Sequence, residues 1–225
     1  MKIFVGYEEA HPEMFDVCKA SIERFNTSHE IIPLRKNHIS EYSRPYQGES
    51  TDFAFTRFLV PYLCNYKDTA LFCDGDFLWR DDPQLIIPWT NPFMDVSVVR
   101  HPMLVTSGSL KMDGRKNVPY EKKYWSSLMF FNNTLCTALT PKRVNEMEAM
   151  WLHRFEWASH IGELPADFNH LVGYYTNDNP KAVHFTNGGP WLEGYRDVEY
   201  ANEWLNIWNS VCTEQYRKSS RVFSD

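Results

Sequence analysis

The feature that most constrains this chain is a pair of aspartates, Asp74 and Asp76, directly after the run Thr69–Cys73. That run is almost entirely apolar and predicts a buried strand. Side chains alternate along an extended chain, so two residues at this spacing point to the same side. At the end of a buried strand the pair can share one hard cation. Gly75 leaves room between them for a bulky anionic ligand, so the pattern favours a site for a divalent cation and a diphosphate.

The alternative is a surface turn, of which an Asp-Gly-Asp sequence is also typical. Apolar residues on both sides, Thr69–Cys73 before and Phe77–Trp79 after, argue against a solvated turn. Buried carboxylates are costly unless a cation matches their charge. The spacing of acidic residues further along the chain excludes an EF-hand loop. A metal site is therefore the favoured interpretation.

The composition predicts one α/β domain that spans residues 1–225. The 225 residues are 43% hydrophobic, and they contain no internal repeat, low-complexity tract or linker. A net charge of −6 argues against a general binder of nucleic acid or anionic membranes. No stretch approaches the ~20 apolar residues that span a bilayer. Five cysteines without a CxxC pair, and an N-terminus unlike a signal peptide, predict a cytoplasmic protein.

Strand and helix signals alternate along the chain, which predicts an α/β fold. One helix begins at Pro12, and a second begins at Thr51 with a kink at Pro61. A third is capped by Thr140 and extends to Phe155. An amphipathic C-terminal helix closes the core and could mediate a homodimer. Strands are predicted at 3–7, 30–34, 69–73, 95–99, 128–131 and 182–185, and loops at 36–50 and 111–123.

A second group of chemically distinctive residues surrounds the predicted strand 182–185. His184 offers a neutral imidazole as a metal ligand. Gly188 and Gly189 allow bare backbone N–H groups to contact phosphate oxygens. The alternative is a buried histidine before a tight turn. Two such motifs in one chain, each after a predicted strand, favour a metal–diphosphate site.

These motifs resemble those of nucleotide-sugar glycosyltransferases with the GT-A fold. Asp74-Gly75-Asp76 is similar to their DxD motif, and residues 184–191 resemble the HxxGxxKPW signature of glycosyltransferase family 8. Gly189 stands where that family has a lysine, so a cationic diphosphate contact is missing or comes from Lys181, Lys111 or Arg115. The resemblance covers nearly the whole chain, including residues 4–7, 51–58 and 126–132, and residues 164–172 look still closer to a set of bacterial and viral GT-A proteins.

The resemblance implies a single GT-A (Rossmann-like) domain with a mixed, mostly parallel central sheet flanked by helices. It also implies metal-dependent transfer of a sugar, a hexose, from a nucleoside-diphosphate donor, a UDP-sugar, to a hydroxyl of a glycan or another acceptor. The implied ligands of Mn²⁺ or Mg²⁺ are Asp74, Asp76 and His184. The implied donor contacts are Val5, Gly6, Tyr7, Arg57, Asp74, Gly75, Ser126, Ser127, Gly188 and Gly189; Arg57 could instead form an ion pair with Asp74 or Asp52.

The stereochemical outcome decides whether a catalytic base is needed. Retention, which the resemblance favours, needs none, because the diphosphate can take the acceptor proton. Inversion needs a carboxylate near the acceptor hydroxyl. Glu163 and Asp167, which precede Asn169, are the candidates, although both could be solvated loop charges. These three residues are the predicted catalytic group, and Asp95 and Asp113 are weaker candidates for the base.

Two other functions compete with sugar transfer. A phosphotransferase of the haloacid-dehalogenase type also has an Asp-x-Asp motif after a strand, but it needs a hydroxyl residue soon afterwards, where this chain has Phe77–Trp79. A carbohydrate-binding protein with a structural cation would explain the aspartates and the 16% aromatic residues. It would not explain the glycines after His184.

Overall fold

The computed structural model describes residues 1–102 and 119–222. Lys111, Asp113 and Arg115, and with them most of the predicted loop 111–123, lie outside the described residues. The strands, in chain order, are β1 Lys2–Gly6, β2 Glu30–Leu34, β3 Thr69–Cys73, β4 Phe77–Trp79, β5 Val96–Val98, β6 Leu128–Asn132, β7 Ile161–Glu163, β8 His170–Leu171 and β9 Ala182–His184. The α-helices are α1 Pro12–Glu23, α2 Val60–Leu63, α3 Pro141–Glu146, α4 Ala149–His153 and α5 Ala201–Val222.

Six strands form the central sheet in the order β2-β1-β3-β6-β5-β7. Strand β1 is parallel to β2 and β3, β7 is parallel to β5, and β6 is antiparallel to both of its neighbours. Five strands therefore run in one direction and β6 runs in the other. This arrangement confirms the predicted mixed, mostly parallel sheet.

Both faces of the sheet are covered by apolar side chains. Phe4 and Phe72 belong to one buried cluster, whereas Val5 and Leu71 belong to another. Because neighbouring side chains on a strand point to opposite faces, the two clusters lie on the two faces. Burial on both faces explains why the run in β3 is continuous rather than alternating.

Helix α1 matches its prediction, with Pro12 in its first turn and Phe15, Cys18 and Ile22 buried on one side. It ends at Glu23, two residues before the exposed Phe25, which was predicted to share its apolar face. Helix α1 packs against α5, which confirms that the C-terminal helix closes the core. No helix among the described residues combines the length and the apolar composition needed to cross a membrane.

The predicted helix from Thr51 is wrong in its extent. A 3₁₀ segment, Thr56–Leu59, leads into the four-residue α2. Pro61 lies in the first turn of α2, where its missing N–H leaves no helical hydrogen bond unmade, so it begins a helix instead of kinking one.

The predicted helix from Pro141 is broken between α3 and α4. Thr140 caps α3 as predicted, because its hydroxyl accepts a hydrogen bond from the Arg143 N–H at 3.2 Å. The break is at Met147, whose ψ of 154° is extended. The Arg44 guanidinium donates to the carbonyls of Val144 (2.8 Å) and Met147 (2.7 Å). This side chain therefore satisfies carbonyls that a further helical turn would otherwise have bonded.

A small second sheet, in the order β4-β9-β8, lies beyond the end of β3. Strand β4 is antiparallel to β9, with Phe77 opposite His184. Since β4 follows the aspartates directly, this register brings His184 next to them from a distant part of the chain. All five cysteines are free.

Candidate metal centre and adjoining cavity

The structure brings the three predicted metal ligands together. Asp74, Asp76 and His184 each offer a ligand atom, and these atoms lie within 4.8 Å of one another. The His184 Nε2 atom is 3.3 Å from Asp76 Oδ1 and 4.0 Å from Asp74 Oδ2. Two carboxylates and one imidazole suit Mn²⁺ or Mg²⁺, of which Mn²⁺ accepts nitrogen more readily.

The backbone fixes both aspartates beyond β3. The Asp74 N–H donates to the Ser127 carbonyl at 2.9 Å, and the Phe185 N–H donates to the Asp76 carbonyl at 3.1 Å. A Cβ atom on Gly75 would lie 2.4 Å from the Gly6 carbonyl oxygen. The close approach of β1 therefore requires a glycine here, and access for an anionic ligand at Gly75 stays a prediction.

Arg57 forms an ion pair with Asp74. Its Nη1 atom is 2.8 Å from Asp74 Oδ1 and 2.9 Å from the Ser126 carbonyl, and its Nε donates to the Phe53 carbonyl at 3.1 Å. The side chains of Arg57 and Asp74 are 7% and 13% exposed. Of the two roles left open by the sequence, the structure shows the ion pair with Asp74.

Behind His184, a line of hydrogen bonds leads away from the metal group. The Asn169 Oδ1 atom is 3.0 Å from His184 Nδ1, and Asn169 Nδ2 donates to Ser127 Oγ at 2.9 Å. The Ser127 hydroxyl donates to the Tyr124 carbonyl at 2.6 Å. The imidazole also stacks on Phe77, with ring centroids 4.6 Å apart. Asn169, predicted to be catalytic, is fully buried and contacts the metal ligand instead of lining the cavity.

A cavity of about 460 Å³ opens onto the metal group. Of the predicted donor contacts, Arg57, Asp74, Ser126 and Ser127 line it. Several other lining residues were not among the predicted contacts, and they come from or lie next to the predicted loops, from the predicted helix that begins at Thr51, from α4 and from the segment after β9. These are Gln47, Gly48, Glu49, Ser50, Thr51, Ala54, Phe55, Tyr120, Lys123, Tyr124, Ala149, Met150, His153 and Thr186.

Lys123 places a cation in the wall of this cavity. It is 6% exposed, and its Nζ atom lies 5.3 Å and 5.7 Å from the ring centroids of Tyr120 and Tyr124. Burial raises the pKa of the Tyr120 hydroxyl to about 12, so it stays protonated and can donate a hydrogen bond. Lys181, by contrast, is 2.8 Å from Asp81 and does not line the cavity. The structure therefore gives no support to Lys181 as the diphosphate contact.

The candidate bases that the structure describes, Glu163, Asp167 and Asp95, do not line the cavity. The Glu163 side chain is 65% exposed, with Arg100 3.9 Å away. The exposed Asp167 accepts a hydrogen bond from Asn177 at 2.8 Å. Asp95 accepts hydrogen bonds from the backbone of residues 159 and 160, so its role is structural. Among the described lining residues, Glu49 is the one acidic side chain outside the metal group.

The predicted contacts at the end of β1 and after β9 lie outside the cavity lining. Val5 is fully buried, and the Arg35 guanidinium covers the Tyr7 ring at 3.6 Å. A Cβ on Gly6 would lie 2.6 Å from the Phe53 ring, and one on Gly189 would lie 2.2 Å from the Trp191 ring. The Gly188 N–H donates to the Phe185 carbonyl at 2.8 Å, so it is not a bare donor. A donor contact at these residues stays a prediction.

No protein-family model matches the sequence. The chain is 35% identical over 240 residues to Protein CDI from Arabidopsis thaliana, an alignment that covers 100% of this chain and 90% of that protein.

Solved glycosyltransferase structures share the fold at low sequence identity. The bifunctional glycosyltransferase WbbM superimposes with a TM-score of 0.64 at 14% identity over 92% of this chain, and GlyE from Streptococcus pneumoniae with 0.62 at 13% over 97%. This chain spans 49% and 63% of their lengths. The galactosyltransferase LgtC, solved with donor and acceptor sugar analogs, gives a TM-score of 0.60 at 11% identity and covers 93% of this chain and 96% of its own. The predicted GT-A fold is confirmed.

Proposed function

The chain belongs to the family of Protein CDI from Arabidopsis thaliana, and on that premise and its GT-A fold we propose that it is a metal-dependent glycosyltransferase. It moves a sugar, a hexose, from a nucleoside-diphosphate donor, a UDP-sugar, to a hydroxyl of a glycan or another acceptor. Residues 1–225 act as one transferase domain. The observation that carries the proposal is the group of Asp74, Asp76 and His184 at the cavity.

The surroundings of this group fit a divalent cation. Asp76 Oδ1 is buried and accepts no hydrogen bond from the described residues, although a buried carboxylate oxygen needs a compensating partner. Arg57 matches the charge of Asp74, which leaves the negative charge of Asp76 for the cation. When bound there, Mn²⁺ or Mg²⁺ supplies the positive charge that stabilises a departing diphosphate.

The chain's own side chains have distinct roles in this proposal. Arg57, held by two backbone carbonyls, keeps Asp74 in place. Lys123 supplies a positive charge to the diphosphate from the cavity wall, in place of the lysine that Gly189 replaces. Tyr120 can donate a hydrogen bond to a polar group of the donor or the acceptor.

Retention of configuration is part of the proposal. Glu163 and Asp167 are not among the residues that line the cavity, which favours a transfer that needs no catalytic base. A retaining transfer needs no such base. The anomeric configuration of the product, read from its NMR coupling constants, distinguishes the two outcomes, and Glu49 is the residue to substitute if the product is inverted.

The two competing functions predict different binding behaviour. A carbohydrate-binding protein would bind sugars without metal-dependent affinity for a nucleotide. A phosphotransferase would release phosphate from small phosphate esters. The GT-A fold of this chain, and the apolar residues Phe77–Trp79 where such an enzyme needs a hydroxyl residue, disfavour this function.

A donor-hydrolysis screen across UDP- and GDP-sugars, with Mn²⁺ and with a chelator, tests the proposal. We expect nucleotide release that depends on the metal and is highest with a UDP-sugar. Calorimetry with UDP, with and without Mn²⁺, should show metal-dependent binding. Binding of UDP that is indifferent to the metal, or phosphate release from small esters without nucleotide release, would overturn it.

A further inference from the structure

The hydrogen bonds behind His184 have a direction that the chemistry of each group dictates. The line ends at the Tyr124 carbonyl, which can only accept, so the Ser127 hydroxyl donates its proton there. Ser127 Oγ is then an acceptor for the group that faces it at 2.9 Å, the amide nitrogen of Asn169. The Asn169 side chain must therefore turn its oxygen towards His184.

This orientation decides which ring nitrogen of His184 carries a proton. Asn169 Oδ1 has no hydrogen to give, so His184 Nδ1 must donate across the 3.0 Å contact. In the neutral imidazole the other nitrogen, Nε2, then presents a lone pair. Nε2 is the atom that faces Asp76 and Asp74. Through Ser127 and Asn169, the backbone carbonyl of Tyr124 thus determines that Nδ1 of His184 carries the proton.

We propose that Asn169, itself oriented by Ser127, is a positioning residue that holds His184 as the Nδ1–H tautomer with Nε2 towards the cation. The inference deepens the proposed function and rests on its metal centre. It replaces the predicted catalytic role of Asn169, which does not line the cavity. Asn169 and His184 are 0% and 2% exposed, so water cannot take over either hydrogen bond without rearrangement.

Metal affinity in the absence of nucleotide is the first test. Asn169→Leu keeps the approximate size of the side chain and removes the acceptor, and it should weaken Mn²⁺ binding by roughly 10–100-fold, as loss of a group that orients a metal ligand typically does. Asn169→Asp keeps an acceptor for Nδ1–H and should bind Mn²⁺ at least as tightly as the native protein. Ser127→Ala should cause a smaller loss, because the amide keeps its place but not its fixed orientation.

Asn133→Leu is the matched control. Asn133 is also fully buried and bonds to the Lys67 carbonyl at 2.9 Å, but it belongs to no part of the metal group. It should lower the melting temperature without changing the affinity for Mn²⁺. Equal losses of affinity in Asn169→Leu and Asn169→Asp, or an Asn169→Leu affinity equal to the native one, would overturn the proposal. If Asn169→Leu does not fold, the Asn169→Asp and Ser127→Ala affinities decide.

The tautomer itself gives a direct readout. The protein is produced with ¹⁵N-labelled histidine and loaded with diamagnetic Mg²⁺. Long-range ¹H–¹⁵N NMR correlations should then show a proton on Nδ1 of His184 and none on Nε2. A proton on Nε2 would overturn the proposal even if the variants lose metal.

These measurements separate the inference from the proposed function. If the variants bind Mn²⁺ as expected but no donor gives nucleotide release, the positioning role of Asn169 stands and the transferase proposal fails. If sugar transfer depends on the metal but Asn169→Leu binds Mn²⁺ as tightly as the native protein, the transferase proposal stands and the positioning role fails.

Discussion

Two pairs of aspartates flank strand β4, Asp74 and Asp76 before it and Asp81 and Asp82 after it. In the second pair, Asp81 is 2.8 Å from Lys181. Asp82 contacts His29 at 2.8 Å, and its side chain caps the 3₁₀ segment Pro83–Trp89 by accepting a hydrogen bond from a backbone N–H of that segment.

In the first pair, Arg57 forms an ion pair with Asp74, while the buried Asp76 Oδ1 accepts no hydrogen bond from the described residues. The first pair also lines the cavity at the metal group, and Asp81 and Asp82 are not among the residues that line it.

The comparison separates a structural acidic pair from a ligand-binding one. Each pair has a histidine and a cationic residue nearby, so composition does not distinguish them. The difference is whether local donors satisfy the carboxylates. The carboxylate oxygens of Asp82 accept hydrogen bonds from the Gln84 N–H of the 3₁₀ segment, from Asn26 and from His29. Asp76 keeps one carboxylate oxygen without a hydrogen bond from the described part of the chain, next to the His184 imidazole, and this is the arrangement that a cation needs.

The largest expected difference between the pairs is in turnover. Asp76→Asn alters a direct metal ligand. It should reduce metal-dependent nucleotide release from a UDP-sugar by more than the roughly 10–100-fold that is typical when a residue orienting a metal ligand is changed. Asp81→Asn makes the same chemical change in the structural pair and should leave turnover within experimental error of the native value. Full activity in Asp76→Asn would contradict the assignment of the metal centre.

The ion pairs of the two sites should differ in stability. Arg57→Ala leaves a buried aspartate without its partner and should lower the free energy of unfolding by about 3–5 kcal/mol. Lys181→Ala removes a half-exposed partner and should cost about 0–1 kcal/mol. Urea unfolding measures both. Similar losses in the two variants would mean that Asp74 and Asp81 are held in equivalent surroundings.

The two lysines should differ in nucleotide binding. Lys123→Ala should weaken UDP binding in Mn²⁺ by about tenfold or more, since a hydrogen bond to a charged group contributes about 1.5 kcal/mol or more. Lys181→Ala should leave the affinity unchanged. Calorimetry at constant metal concentration tests this. If the two variants bind UDP equally well, Lys123 does not contact the diphosphate.

The smallest effect is on acid stability. The hydrogen bond from Lys181 lowers the pKa of Asp81 below its ordinary value of 3.8. A carboxyl with a depressed pKa in the folded state stabilises the protein above its unfolded pKa, and that contribution is lost as the pH falls through the folded pKa. The difference in unfolding free energy between the native protein and Asp81→Asn should be below about 1 kcal/mol near neutral pH and should shrink towards ~pH 3. A difference that grows on acidification would reverse the assigned direction.

Local pattern was sufficient for much of the fold. The apolar run of β3, the proline and apolar spacing of α1, and the stripe of α5 each carry their information within a few residues. The break at Met147 was not predictable, because Arg44, far away in the chain, bonds the carbonyls there. The helix predicted from Thr51 was too long, because its extent depends on packing rather than on propensity.

The metal ligands were predictable in part for the same reason. The apolar run before Asp74 and Asp76, and the strand and glycines around His184, pointed to all three ligands, although Gly75 and Asp76 lie in a turn rather than on the expected extended chain. The pairing of β4 with β9 decided that the imidazole meets the carboxylates. The positions of Lys123, Asn169 and Glu163 relative to the cavity depend on contacts between distant segments. The sequence determined which groups were available, and long-range strand pairing and buried hydrogen bonds decided which of them face one another.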